Sequence, residues 1–165
     1  MPLTPFHFGP CALIALPIRR YIDLPVFILV NLYVDIEPYR VIFLGAPGPE
    51  HALWHTYTVG SLVGLACAAL SYPLKGLFGK IMNRAGLLYE TSFFKMLFSS
   101  LLGVWFHVTL DGILYSEMMP FYPLVKNPLY GLLSIEAVYI LCTLAFIPAF
   151  IFYRKLKTKN PKPSR

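Results

Sequence analysis

Residues 96–114 read MLFSSLLGVWFHVTLDGIL, an apolar run long enough to cross a bilayer that nonetheless carries His107 and Asp111 in its second half. A helix spanning the hydrocarbon core needs about 20 mainly apolar residues, and this run meets that length. Four more apolar blocks lie at 8–18, 24–36, 57–74 and 129–153, with nearly all the charge between them. The blocks at 57–74 and 129–153 read as spans. The block at 8–18 is short and holds Pro10 and Pro17, so a re-entrant or tilted half-helix shielded by other helices is expected there. The chain is 57% hydrophobic, 16% aromatic and 13% charged, which separates it from soluble domains. The expected fold is all-α, a polytopic helical membrane protein with about five transmembrane or partly re-entrant helices. Residues 1–153 form one helical membrane domain and 154–165 a basic cytoplasmic tail.

The formal charge of +6 follows topology rather than a nucleic-acid surface. With the C-terminus inside and each block crossing once, Arg19, Arg20, Lys75, Lys80, Arg84, Lys95 and the tail cations all lie on the cytoplasmic side. Only Arg40 and Lys126 remain outside. That bias is the positive-inside rule, and it puts the N-terminus outside. The first basic residues follow the initial apolar stretch instead of preceding it, so no cleavable signal peptide is expected. The loop from Lys75 to Lys95 alternates basic and apolar residues and suits either a headgroup-lying amphipathic segment or a plain basic loop. Gly60 and Gly64 allow close helix approach. Cys11, Cys67 and Cys142 have no paired spacing and read as packing residues. Tyr57, Tyr115, Phe121 and Tyr122 read as interfacial anchors.

A charged group at a helix centre costs about 2.5–3.5 kcal/mol on insertion scales, so those present call for a cause. All four histidines, His7, His51, His55 and His107, and three of eight carboxylates, Asp35, Glu37 and Asp111, lie in or beside apolar blocks. His107 and Asp111 are four apart and share a helix face. His51 and His55 have the same spacing, with only His55 expected well inside a helix. Asp35 and Glu37 would diverge on a helix, but Glu37 precedes Pro38, which ends helical geometry and lets both turn inward. Measured from Met96 at about 1.5 Å per residue, His107 lies roughly 16 Å and Asp111 roughly 22 Å along their helix, in its outer half. The topology from Lys and Arg alone places the other candidates at the same side. Glu136, at a similar depth, is a candidate partner or a lone helix contact.

Imidazole and carboxylate together are the ligand set of Zn²⁺, with Mn²⁺ or Fe²⁺ as alternatives. His7, Asp35, His55, His107 and Asp111 are the expected ligands, and Glu37 and His51 are outer candidates for further ligation or general-base work. A divalent ion would offset the cost of burying the carboxylates, and hydrolysis is the chemistry such a site performs. A lipid or lipid-linked substrate matches the depth. Two other classes use the same groups: a small transporter or proton/ion relay, and a non-catalytic membrane partner whose polar groups join helices.

Four pieces, Thr4-Pro-Phe-His7, Asp35-Ile-Glu37, His51-Ala-Leu-Trp-His55-Thr56 and His107-Val-Thr-Leu-Asp111, resemble a family of small bacterial inner-membrane proteins described as predicted membrane-bound metal-dependent hydrolases. The resemblance covers residues 4 to 111 and implies a helical membrane domain with a His/Asp metal site and hydrolytic activity. One departure stands out. The family pattern between the two histidines of the third piece is H-R-G-x-x-H, whereas this chain has Ala52, Leu53 and Trp54, one residue fewer and without the arginine. An anion-stabilising group is therefore missing at that point.

Overall fold

The 96–114 run lies inside the longest single helix of a computed structural model that describes residues 5–159, all of whose regular elements are helical. In chain order these are α1 (Pro5–Ala15), α2 (Leu24–Val34), α3 (Ile36–Leu44), α4 (Tyr57–Ser71), α5 (Lys75–Arg84), α6 (Phe93–Leu114), α7 (Ile135–Leu144) and α8 (Phe146–Lys159). Short 3₁₀ turns at Leu53–His55 and Tyr72–Leu74 precede α4 and α5. Thr4 and residues 160–165, which include Lys162 and Arg165 of the expected tail, lie outside the described residues.

Three stretches are long and apolar enough to cross a membrane: Tyr57–Arg84, Phe93–Leu114 and Ile135–Lys157. The blocks at 8–18 and 24–36 become α1 and α2, each 11 residues long. A helix of that length covers about 16 Å, roughly half the hydrocarbon thickness. The fifth block begins later than its composition suggests. Residues 115–134 carry no helix because Pro120, Pro123 and Pro128 interrupt them, and Asn127 ties this stretch to the end of α6 through Nδ2 bonds to the Gly112 and Tyr115 carbonyls at 2.8 and 2.9 Å.

The polarity of the packing is inverted relative to a soluble protein. Leu62, Phe94, Ile140 and Phe150 are exposed, while His7, Asn31, Asp35, His55, His107 and Asp111 are buried. Water would reward the opposite arrangement, whereas lipid tails accept it.

Helix α6 sits between α4 and α2, and glycines set both approaches. A Cβ on Gly60 would meet Val104 Cγ1 at 2.8 Å, and one on Gly64 would meet Val104 Cγ2 at 3.2 Å, so the G-x-x-x-G pair does admit α6. On the other side Gly103 lies against α2, where a Cβ would come within 2.4 Å of Val30 Cγ1 and 2.9 Å of the Phe27 carbonyl. α1 packs on α7, α8 and α2, which brings its N-terminal His7 to the C-terminal half of α6. The three cysteines are free and buried, as expected of packing residues.

Candidate metal centre

Helix α2 stops at Asp35, whose φ of −71° and ψ of −5° make it both the last cap of α2 and the first of α3. Pro38 falls in the first turn of α3, where its missing N–H costs nothing. The break thus comes at Asp35 and not just before Pro38. Its consequence is that the two carboxylates, which a continuous helix would splay apart, grip opposite nitrogens of one imidazole. Asp35 Oδ1 lies 3.6 Å from His55 Nε2, and Glu37 Oε2 lies 3.1 Å from His55 Nδ1.

His55 itself closes the 3₁₀ turn Leu53–His55 rather than standing well inside a helix. Thr56 starts α4, its hydroxyl accepting from the Val59 N–H at 3.1 Å. Glu37 holds this turn in place as well, accepting from the Ala52 and Trp54 N–H groups at 3.0 and 3.2 Å. Both of its oxygens are therefore engaged in shaping the turn and orienting His55. This differs from the ligand or free base that its position in the sequence suggests.

His107 and Asp111 come from α6, one turn apart on the face turned to α2, and His107 Nε2 lies 3.1 Å from Asp111 Oδ2. The same nitrogen lies 3.3 Å from Asp35 Oδ1 and 3.4 Å from His55 Nε2, and His55 Nε2 lies 3.7 Å from Asp111 Oδ2. Asp35, His55, His107 and Asp111 thus offer four ligand atoms that lie within 4.8 Å of one another, all on buried residues.

These separations can be compared with what a metal demands. Bonds of about 2.0–2.1 Å in a tetrahedron put ligand atoms about 3.3–3.4 Å apart. Five of the six separations, from 3.1 to 3.7 Å, straddle that edge, and the sixth, between the Asp35 and Asp111 oxygens, lies within 4.8 Å.

Proton positions follow from the outer partners. Glu37, as a carboxylate, can only accept, so His55 Nδ1 donates to it. Asn31 Nδ2 donates to the Phe27 carbonyl at 2.8 Å, which turns Asn31 Oδ1 towards His107 Nδ1 at 3.1 Å and makes that nitrogen a donor too. Each imidazole then presents an Nε2 lone pair to the centre, beside two carboxylate oxygens. Four acceptors meeting in a buried space could hold a metal ion, and imidazoles whose other nitrogen is hydrogen-bonded outward are the usual form of metal-bound histidine.

His7 stands next to this set. Its ring lies against His107 with centroids 4.6 Å apart, and its Nε2 is 3.2 Å from Asp111 Oδ1, the oxygen not shared with His107. His51 lies further out, edge-on to His55 at 4.8 Å and stacked on Tyr115 at 4.0 Å. Its Nδ1 is 3.1 Å from Glu117 Oε1, so Glu117 tethers the ring from one side while Tyr115, read above as an anchor, packs on its face. Burial, and then the neighbouring His55, hold the His51 imidazole below its ordinary pKa, which keeps it neutral at pH 7. Glu136, by contrast, is exposed in the first turn of α7 and takes no part.

Among the described residues, three buried side-chain atoms lack a well-formed hydrogen bond: His7 Nδ1, the Tyr115 hydroxyl, and Asp111 Oδ1, whose one close neighbour is the ion-pair contact with His7 Nε2. All three belong to residues of this cluster or its rim. Buried orphans are uncommon, and their concentration here marks a place for a water or a bound group.

Asn31 escapes a reading based on charge. Its signal was nonetheless present, as the sole side-chain amide in the run LPVFILVNLYV and four residues before Asp35 on the same helix face. No family model, curated protein or solved structure matches the chain, so the geometry above carries the functional argument alone.

Proposed function

We propose that this chain is a divalent-metal-dependent hydrolase embedded in a bacterial inner membrane, with its N-terminus outside and its C-terminus cytoplasmic, acting near the outer leaflet on a lipid or lipid-linked substrate. The observation that carries the reading is the convergence of His55 Nε2, His107 Nε2, Asp35 Oδ1 and Asp111 Oδ2 within 4.8 Å of one another, with both histidines' other nitrogens bonded outward. These four would hold the ion, with Zn²⁺ the best match to the spacing and Mn²⁺ or Fe²⁺ as alternatives. Such an ion supplies a Lewis acid and lowers the pKa of bound water towards neutrality.

The chain's own groups fit roles around it. Glu37 and Asn31 fix the two imidazoles in the tautomer that exposes Nε2 inward. His51, neutral and tethered through Nδ1 to Glu117, keeps Nε2 to take up a proton. The orphaned Tyr115 hydroxyl would donate to a substrate oxygen arriving on the side of Asp111 Oδ1, and His7 Nδ1, left as the acceptor by the Nε2–H that faces Asp111, would take a hydroxyl or water donor.

A second reading rests on one specific observation: the cluster offers four buried protein ligands, the number that purely structural zinc takes, whereas catalytic zinc usually keeps one open position. Detergent-purified protein screened against ester, phosphoester and amide lipids separates the readings. The hydrolase turns over at least one class, stops with chelator, recovers with Zn²⁺ or Mn²⁺, and is silent as Asp111→Asn. Stoichiometric metal whose removal lowers thermal stability, with no turnover of any class, establishes the structural reading instead. Gradient-dependent flux in liposomes that Asp111→Asn blocks would replace both with a relay.

A further inference from the structure

The opposite end of α6 holds a second polar feature that the metal centre does not use. Lys95, in its first turn, lies twelve residues before His107, about 18 Å along the helix. Around it the turn after α1 and the loop before α6 enclose a cavity of about 580 Å³, walled by Ile18, Arg19, Arg20, Tyr21, Leu88 and Lys95, with Glu90 on its rim. Three cations thus face one carboxylate. Arg19, Arg20 and Lys95 form no ion pair with a carboxylate among the described residues, so their charge is left for something else to neutralise. The Lys95 ammonium donates to the Glu90 backbone carbonyl at 2.7 Å, and the Arg20 guanidinium lies 4.4 Å over the Tyr21 ring, so both heads are held in place.

A buried carboxylate, Asp23, also acts electrostatically on Lys95, but both of its oxygens are committed to hydrogen bonds. Asp23, which the charge pattern alone had not singled out, caps α2 through Oδ1 to the Val26 N–H at 3.0 Å. Its Oδ2 accepts from the Tyr89 and Thr91 hydroxyls at 2.7 and 2.5 Å. Its own N–H donates to Ser99 Oγ at 2.6 Å. This knot fastens the 85–92 loop to α2 and α6, which makes one wall of the cavity rigid. Beside Glu90 the lining carries exposed apolar side chains, with Leu88 71% and Tyr21 59% exposed. Basic groups next to exposed apolar ones match a ligand that is itself phosphate at one end and hydrocarbon at the other.

The geometry points to a preformed binding site at the inner end of the bundle for the phosphodiester headgroup of an anionic phospholipid, gripped by Arg19, Arg20 and Lys95. Basic pockets between helices on the cytoplasmic side are suited to such headgroups. A phosphodiester carries one negative charge, and the rim carboxylate of Glu90 suits a headgroup whose hydroxyls can donate to it, such as glycerol. This inference depends on the chain residing in a membrane and not on the metal site.

The test is native mass spectrometry of the full chain in detergent, titrated with phosphatidylglycerol, phosphatidylcholine or inorganic phosphate. Phosphatidylglycerol is expected to bind well above phosphatidylcholine. Each neutralised cation should weaken it about fivefold, so that Arg19→Gln/Arg20→Gln/Lys95→Gln loses about 100-fold. Lys126→Gln, the same charge change in an exposed loop elsewhere, should leave it unaltered. If the triple variant does not fold, Arg19→Gln with Arg19→Lys as rescue decides. Equal retention of the two lipids, or a triple variant that binds like wild type, overturns the site. Displacement of the lipid by millimolar inorganic phosphate overturns the lipid assignment in favour of a free-anion site.

Discussion

Replacing Asn31 by leucine tests whether the groups behind the histidines matter as the geometry requires. Asn31 touches none of the four central atoms, yet its Oδ1 is the acceptor of His107 Nδ1 at 3.1 Å, and its amide is fixed by the Phe27 carbonyl at 2.8 Å. Leucine is of similar size and is welcome in a membrane helix, so folding should survive. The His107 Nδ1–H, however, would be buried without a partner, which costs about 1–3 kcal/mol, and the ring would be free to move its proton to Nε2 and abandon the centre. Loss of such an outward hydrogen bond typically lowers metal affinity about 10–100-fold. Asn31→Asp keeps an acceptor in the same place and should hold the metal at least as well as wild type. The assay is competition for Zn²⁺ between detergent-purified protein and a chromophoric chelator of known affinity. Equal affinity in Asn31→Leu and wild type would refute the reasoning, as would Asn31→Asp failing as badly as leucine.

Acid should strip the metal, since every ligand must be deprotonated to bind: metal content measured after dialysis is expected to be full near pH 7 and to fall as pH drops, the proton competing for both Nε2 atoms. Glu37→Ala removes the partner of His55 Nδ1 and of two backbone N–H groups, so about 10–100-fold weaker metal binding should be accompanied by faster proteolysis within residues 50–56. Gly103→Ala drives a methyl into the Phe27 carbonyl and Val30, and should destabilise the α2–α6 contact by about 1–3 kcal/mol in a denaturing-detergent titration. A periplasm-active reporter enzyme fused after Tyr122 should be active and one fused after Arg84 silent; the reverse would move the site to the inner side.

The helical class and three long apolar stretches were legible in composition and block length, because lipid leaves a spanning chain few alternatives. The meeting of His107 with Asp111 was legible too, because i, i+4 spacing fixes a helix face whatever else the chain does. Less accessible was what depends on backbone breaks. The helix end at Asp35 lies upstream of the proline that signals it, and His55 occupies a 3₁₀ turn that its spacing from His51 had suggested was helical. The depth expected of Glu136 rests on a span beginning at 129, whereas α7 begins at Ile135 and leaves Glu136 exposed in its first turn. Neutral partners such as Asn31 were hidden for a different reason: a search for charge passes over the amides that orient charged and metal-binding groups.

The central claim, that Asp35, His55, His107 and Asp111 form one metal centre, is tested most directly by elemental analysis of protein purified without added metal. Wild type and a His107→Ala/Asp111→Ala variant should be compared at equal recovery from the membrane. About one divalent ion per chain in wild type and nearly none in the variant is the predicted result; the same near-stoichiometric metal in both would contradict the account.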